Sequence, residues 1–155
     1  MNKNAKNRYR QAAARPVDQL SAAVQQDGTG AHAQAARSSR RLDQFGVNIC
    51  TLKPGAASSQ RHWHENEDEL VYVLEGEVVL CEDGGETVLR AGEAAAWKAG
   101  LPNGHCLVNR SNRDAIFIEI GTRAPAERAY YSDIDMMVVR DEAGARYMKK
   151  DGTPY

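Results

Sequence analysis

The chain has little cysteine, no membrane-length apolar run and no excess of charge of one sign. Its three cysteines, Cys50, Cys81 and Cys106, are odd in number, far apart and in no Cys-x-x-Cys pair. Neither a disulfide framework nor a thiolate zinc site is therefore expected, and a reducing cytoplasm is the expected compartment. No apolar stretch approaches the roughly 18 residues that a spanning helix requires, and the first residues lack the continuous apolar segment of a signal peptide. A net charge of −1 over 155 residues offers no global field for nucleic acid or a membrane surface, so neither partner is expected. Alternation of strand and helix patterns is also missing, which disfavours a parallel sheet. Histidine is scarce as well: the chain has four, and three of them fall in one pattern.

What is present divides the chain in two. Residues 1–41 hold Lys3, Lys6, Arg8, Arg10, Arg15, Arg37, Arg40 and Arg41 against Asp18 and Asp27; eight cations less two carboxylates is +6, and the total of −1 leaves −7 on residues 42–155. This segment is rich in Ala and Gln and is expected to be a basic N-terminal arm, with a short helix around Val17–Gln26 stopped by Asp27-Gly28. Aromatic residues do not interleave with its cations in the manner of a single-strand nucleic-acid groove. From Phe45 onward short alternating runs are separated by turn residues: Val47–Leu52, Glu69–Glu75, Glu77–Glu82, Glu86–Arg90, Ala94–Trp97, His105–Val108 and Ala115–Ile120. Met136–Arg140 and Arg146–Lys150 bracket Asp141-Glu142-Ala143-Gly144 as a C-terminal hairpin. Many short strands at regular spacing predict one all-β sandwich or barrel over residues 42–155.

The chemistry concentrates at His62-Trp63-His64, followed by Glu69 and answered by His105. Side chains at i and i+2 of a strand share a face, so His62 and His64 project together while Trp63 points away. Glu69 opens the next run on the face of Val71 and Val73, and His105 opens a later one with Leu107. If these strands are neighbours, three imidazoles and one carboxylate converge inside the barrel. Such a mixed N/O set suits one divalent transition metal (iron, manganese, nickel, copper or zinc) without choosing among them, and it leaves positions open for water or substrate.

The run Gly55, His62, His64, Glu69, Gly76 resembles the first cupin motif, and Gly92, Gly100, His105, Asn109 is similar to the second. The gap from Gly55 to His62 is one residue longer than the motif's, Lys98 stands where the motif has proline, and the stretch from Gly100 to His105 is two residues longer. More narrowly, Ser59–His64, Pro102–His105, Gly121–Pro125 and Lys150–Tyr155 look like segments of single-domain bacterial cupins of the type-2 conserved-barrel class. The resemblance implies a jelly-roll (double-stranded β-helix) barrel with its metal motifs within residues 55–109. It further implies metal on His62, His64, Glu69 and His105, and a homodimer. It does not imply one reaction, because cupins include dioxygenases, isomerases, lyases, sugar-processing enzymes and non-catalytic binding domains.

Other residues are weighed by parity. Tyr72 faces away from Glu69 with Leu70 and Leu74, Cys106 is expected as a core thiol, and Trp97 is expected to close the barrel mouth or fill the core. Glu119, inside the run Ile116–Ile120, is expected to face solvent on an edge strand, the alternative being a buried place behind the metal ligands, and His32 is expected to be inert. Two functions remain open: a metal-dependent enzyme on a small organic molecule, either an oxygenase or a lyase/isomerase, and a non-catalytic barrel that binds metal or a small ligand. The chain has no recognisable output domain of a sensor, which favours the enzyme.

Overall fold

The computed structural model describes residues 31–35 and 42–155. The helix expected at Val17–Gln26 and most of the basic arm lie outside these residues. Regular structure among the described residues is strand throughout: β1 (Ala31–Ala35), β2 (Phe45–Leu52), β3 (His62–His64), β4 (Glu69–Glu75), β5 (Glu77–Glu82) and β6 (Gly85–Arg90). After these come β7 (Ala94–Trp97), β8 (Cys106–Val108), β9 (Ala115–Thr122), β10 (Glu127–Tyr131), β11 (Met137–Asp141) and β12 (Gly144–Met148). No helix among them is long and apolar enough to cross a membrane.

Two layers face each other. One is a sheet in the order β1-β2-β9-β4-β7. The other is built from β12-β11-β10-β3 and β6-β5-β8, which a backbone bridge between His62 and His105 joins into one curved surface. Every pairing is antiparallel, and the core forms between the layers. Cys50, Leu52, Val71, Val73 and Phe117 enter it from the first sheet, and Val78, Leu80, Leu89 and Leu107 from the second. This is the expected all-β jelly roll with its C-terminal hairpin, β11 and β12, each shifted by one or two residues from the sequence expectation.

Period-two alternation decides which side chains meet. On β9, Ala115 and Phe117 are buried while Ile116 and Ile118 are partly exposed, and on β4 Val71 and Val73 are buried while Tyr72 and Leu74 are exposed. Gly76, between β4 and β5, has φ of +77°, and a Cβ there would lie 2.9 Å from the Asp114 carbonyl. Both its conformation and its surroundings therefore require glycine. Two strands were not legible in the sequence: β1, which pairs along β2 from Ala31 opposite Leu52 to Ala35 opposite Asn48, and β10, which pairs with β3.

Candidate metal centre

The two-residue spacing of β3 turns His62 and His64 inward and Trp63 outward, where it stacks on Tyr130 of β10 with ring centroids 4.6 Å apart. The backbone bridge holds His105 beside His62, with N–H···O bonds of 3.2 and 3.0 Å in the two directions. Gly104 makes this approach feasible, since a Cβ at that position would sit 1.8 Å from the Ser132 hydroxyl. Glu69, at the start of β4, completes the group. Ligand atoms of His62, His64 and Glu69 lie within 4.8 Å of one another, and Glu69 Oε2 is 3.1 Å from His105 Nε2 and 3.6 Å from His64 Nε2. His105 lies outside the 4.8 Å set but joins it through Glu69. The structure thus brings together all four residues singled out from the sequence.

Of the nitrogens facing away from this group, those of His62 and His105 are hydrogen-bonded, while His64 Nδ1 has no hydrogen bond. His62 Nδ1 lies 3.0 Å from the Gln60 carbonyl and 3.2 Å from the Ser59 hydroxyl, and His105 Nδ1 lies 3.0 Å from the Asn103 carbonyl. His64 Nδ1 faces Glu127 Oε1 at 3.4 Å, a long contact with a carboxylate whose side chain is wholly buried. Carbonyl and carboxylate oxygens only accept, so these contacts favour a proton on each Nδ1 and leave each Nε2 to ligate an ion when the ring is neutral; without an ion, His105 Nε2 donates to Glu69. Glu127 is itself fixed by backbone N–H groups of Glu65 and Asn66, both at 2.9 Å. Trp97 stacks flat on His105 at 3.8 Å and donates its indole N–H to Glu82 at 2.7 Å. Asn103 donates to the same Glu82 oxygen at 2.8 Å, so His105 is held on three sides.

Electrostatics agree with this arrangement. Burial, with the neighbouring His64 charge, pushes His62 down to about 4, which keeps its ring neutral. Burial also presses on His64, but the Glu127 carboxylate and the charge of Glu69 outweigh it and its net shift is upward. For Glu69 burial favours the neutral acid, yet the bond to His105 and the surrounding histidines win and hold it at about 2, fully ionised. One ionised carboxylate beside three imidazoles whose Nε2 atoms turn inward is a donor set that fits a divalent cation, which would displace any proton held on those nitrogens.

The family description "Cupin domain" matches residues 48–121. Among solved structures, one described as a sugar phosphate isomerase from a cupin superfamily, from Silicibacter pomeroyi, is 46% identical with a TM-score of 0.79, over 90% of this chain and 87% of that one. The chain belongs to the cupin superfamily. A candidate sugar phosphate isomerase from Acidithiobacillus ferrooxidans (20% identity, TM-score 0.67, 74% of this chain and 72% of that one) shares the fold. So does a Cupin 2 conserved barrel domain protein from Salinispora arenicola (21%, TM-score 0.53, 74% and 91%). No curated protein matches.

The departures from the family motifs lie at the rim of this cupin's site. Lys98 is exposed, and the longer loop beyond it is tied down where the Gly100 N–H bonds the His64 carbonyl at 2.9 Å. Between the layers a cavity bordered by His62, Glu69, Trp97, His105, Phe117 and Glu119 leaves about 20 Å³ for the centres of water-sized spheres, room for an ion or one or two waters. Among the described residues no Lys or Arg lines it.

One expectation is overturned. Glu119 does not face solvent on an edge strand: β9 runs between β2 and β4 in the middle of its sheet, and the carboxylate points inward, accepting from Asn48 Nδ2 at 3.3 Å and from the Cys50 thiol at 3.8 Å. Burial first, then the charge of Glu69, push it up to about 7 against the pull of those two bonds. Glu127 was missed because Glu127–Tyr131 carries no clear alternating signal; its one clue was an acidic residue opening an apolar, aromatic run. The acid-rich stretch Glu65–Glu69 is bonded into the fold. Glu67 pairs with Arg140 and caps the Ala124 N–H at 2.8 Å, and Asp68 caps the Ala99 N–H at 2.8 Å.

Proposed function

We propose that this cupin is a metal-dependent isomerase that interconverts the aldose and ketose forms of a small phosphorylated sugar, with one divalent transition metal held by His62, His64, Glu69 and His105. The observation that carries the reading is the convergence of three imidazoles on an ionised carboxylate, with the outward nitrogens of His62 and His105 on carbonyl acceptors and that of His64 facing Glu127. The choice of reaction is supported by the Silicibacter protein, described as a sugar phosphate isomerase, which is 46% identical over most of both chains. Bound there, the ion supplies Lewis-acid polarisation of adjacent substrate oxygens. The chain's own residues fix the imidazoles, and Trp97 and Phe117 narrow the cavity. The cavity is too small for a sugar phosphate, whose bulk, phosphate included, would be recognised beyond it. Three free thiols support a reducing, cytoplasmic setting.

The test is metal content followed by turnover. Purified protein is expected to contain about one divalent metal per chain by elemental analysis, and His62→Ala and His105→Ala to lose it. The loaded wild type is then expected to convert members of a panel of aldose and ketose phosphates followed by NMR. Full metal retention in both variants would remove the site assignment. Oxygen uptake without isomerisation would move the reading to an oxygenase, and tight binding without any turnover to a non-catalytic barrel.

A second copy of the chain is the partner we propose. The outer face of the five-stranded sheet carries Val47 and Ile49 on β2, Ile116, Ile118 and Ile120 on β9, and Leu70, Tyr72 and Leu74 on β4, adjacent in register. Ile49 is 43% exposed and Tyr72 40%. Strands of five, eight, eight, seven and four residues about 4.8 Å apart make a face of roughly 500 Å². That is somewhat over half of the roughly 800 Å² per partner of a standard stable interface. A largely apolar sheet face complements a copy of itself in aligned packing better than it does a charged partner.

A further inference from the structure

Glu119 is the one carboxylate of the cavity that the proposed metal set does not use. It stands on the central strand β9 with Asn48 opposite on β2 and Val71 opposite on β4, and it lines the same small cavity as His62, Glu69 and His105. Its immediate wall is apolar, formed by Val71, Leu107 and Phe117. Its partners are a long amide contact at 3.3 Å and a thiol at 3.8 Å; neither neutralises a carboxylate, and among the described residues no cation lines the cavity. Stability offers no reason for such a group, because an apolar residue of similar size would avoid the desolvation cost. Its placement does suit a group that must exchange a proton with whatever enters the cavity.

We propose that Glu119 is the proton-transfer residue of this site, carrying a hydrogen between two adjacent carbons of a substrate whose oxygens face the histidine cluster. The step rests on the isomerase reading and balances without an oxidant. The C2–H bond of a 2-hydroxyaldehyde breaks, the proton passes to a Glu119 oxygen, the C–H electron pair forms the C1=C2 bond, and the carbonyl π pair moves to O1. The hydroxyl proton then passes from O2 to O1, C2=O forms, and Glu119 returns its proton to C1 to give the ketose. Groups facing Glu119 are Cys50 and Asn48 from β2, Glu69 from β4, His62 and His64 from β3, and His105 ahead of β8. The buried Cys50 thiol is pushed well above the usual range by burial and by Glu119 itself, so it stays protonated and donates.

The test uses metal-loaded full-length protein, the same aldose and ketose phosphates, and D₂O. Wild type is expected to place solvent deuterium on C1 of the ketose product, or C2 of the aldose, read by NMR. Glu119→Gln keeps an oxygen for Asn48 and the size of the side chain. It is expected to retain its metal while isomerisation and exchange fall about 10²- to 10⁴-fold in kcat, with KM changed less than about threefold. Glu119→Asp, which keeps the acid but withdraws it, is expected to fall between the two and guards against a Gln variant that misfolds. A metal-loaded Glu119→Gln protein that exchanges at the wild-type rate would overturn the role of Glu119 alone. A loaded wild type that neither converts nor exchanges any member of the panel would overturn the isomerase reading, and this role with it.

Discussion

The two faces of the five-stranded sheet invert the usual arrangement. Its inner face carries Glu69, Glu119 and Asn48 among Val71, Val73 and Phe117, while its outer face carries isoleucine, leucine and tyrosine, with Glu75 at the β4 bulge beside Ile116 at its margin. A half-solvated antiparallel sheet ordinarily reads apolar inside and polar outside. The inner face departs because a reactive site has to be enclosed, and polar groups there survive only with partners such as those that hold Glu69 and the histidines. The outer face departs because the sheet is unfinished as a monomer surface. Adjacent residues of one strand thus answer to different demands, and substitutions one position apart should have different consequences.

Phe117 and Ile118 give the largest contrast. Phe117 is 2% exposed, and Phe117→Ala is expected to cost about 3–5 kcal/mol through lost burial and the cavity left behind. Ile118→Ala, on the outer face, is expected to cost about 1 kcal/mol or less in the isolated subunit. Chemical unfolding at two protein concentrations separates them further. The Phe117 deficit should be independent of concentration, whereas the Ile118 deficit should grow with it, because an interface adds stability by mass action. Equal deficits at every concentration would end the contrast.

Ile118→Glu sharpens it from the other side. Ile118 lies between Ile49 and Tyr72 in register, so a carboxylate there would be desolvated at the centre of the proposed interface. The dimer dissociation constant is expected to rise about a hundredfold to a thousandfold, read by sedimentation equilibrium, with metal content unchanged because the substitution points away from the site. A wild type that is monomeric at tens of micromolar would remove the dimer.

Much of this was legible in the sequence because period-two alternation and glycine spacing are local signals. His62 and His64 reveal a shared face by themselves, Tyr72 reveals the opposite one, and Gly76 marks the turn between β4 and β5. What was not legible depends on which strands become neighbours. Glu119 looked like a surface charge because nothing in Ile116–Ile120 states that β9 lies between β2 and β4. Glu127 sits 63 residues beyond His64 and acquires its role only when Ala129 pairs with His64. The Trp97 stack on His105 likewise needs the tertiary fold, although the aromatic at that position was expected in the core or at the mouth.

Glu127 yields the smallest expected effect and tests the interior's polar half. Its two oxygens accept N–H bonds from Glu65 and Asn66, and one of them also faces His64 Nδ1. Glu127→Gln keeps the shape but sets an NH₂ group against a donor, so the metal-free protein is expected to lose about 1–3 kcal/mol from one unmade buried bond. It also removes the charge that orients the His64 ring and raises its basicity. On the proposed reading, metal affinity should fall about 10- to 100-fold, the usual consequence of losing an outer carboxylate behind a ligating histidine. Competition against a chromophoric chelator measures that loss, and thermal unfolding of the metal-free variant measures the first. If stability falls while affinity holds, Glu127 serves only the turn after β3. If both fall, the carboxylate that fixes the backbone also sets the direction of His64, and the enclosed face of this barrel is built around that imidazole.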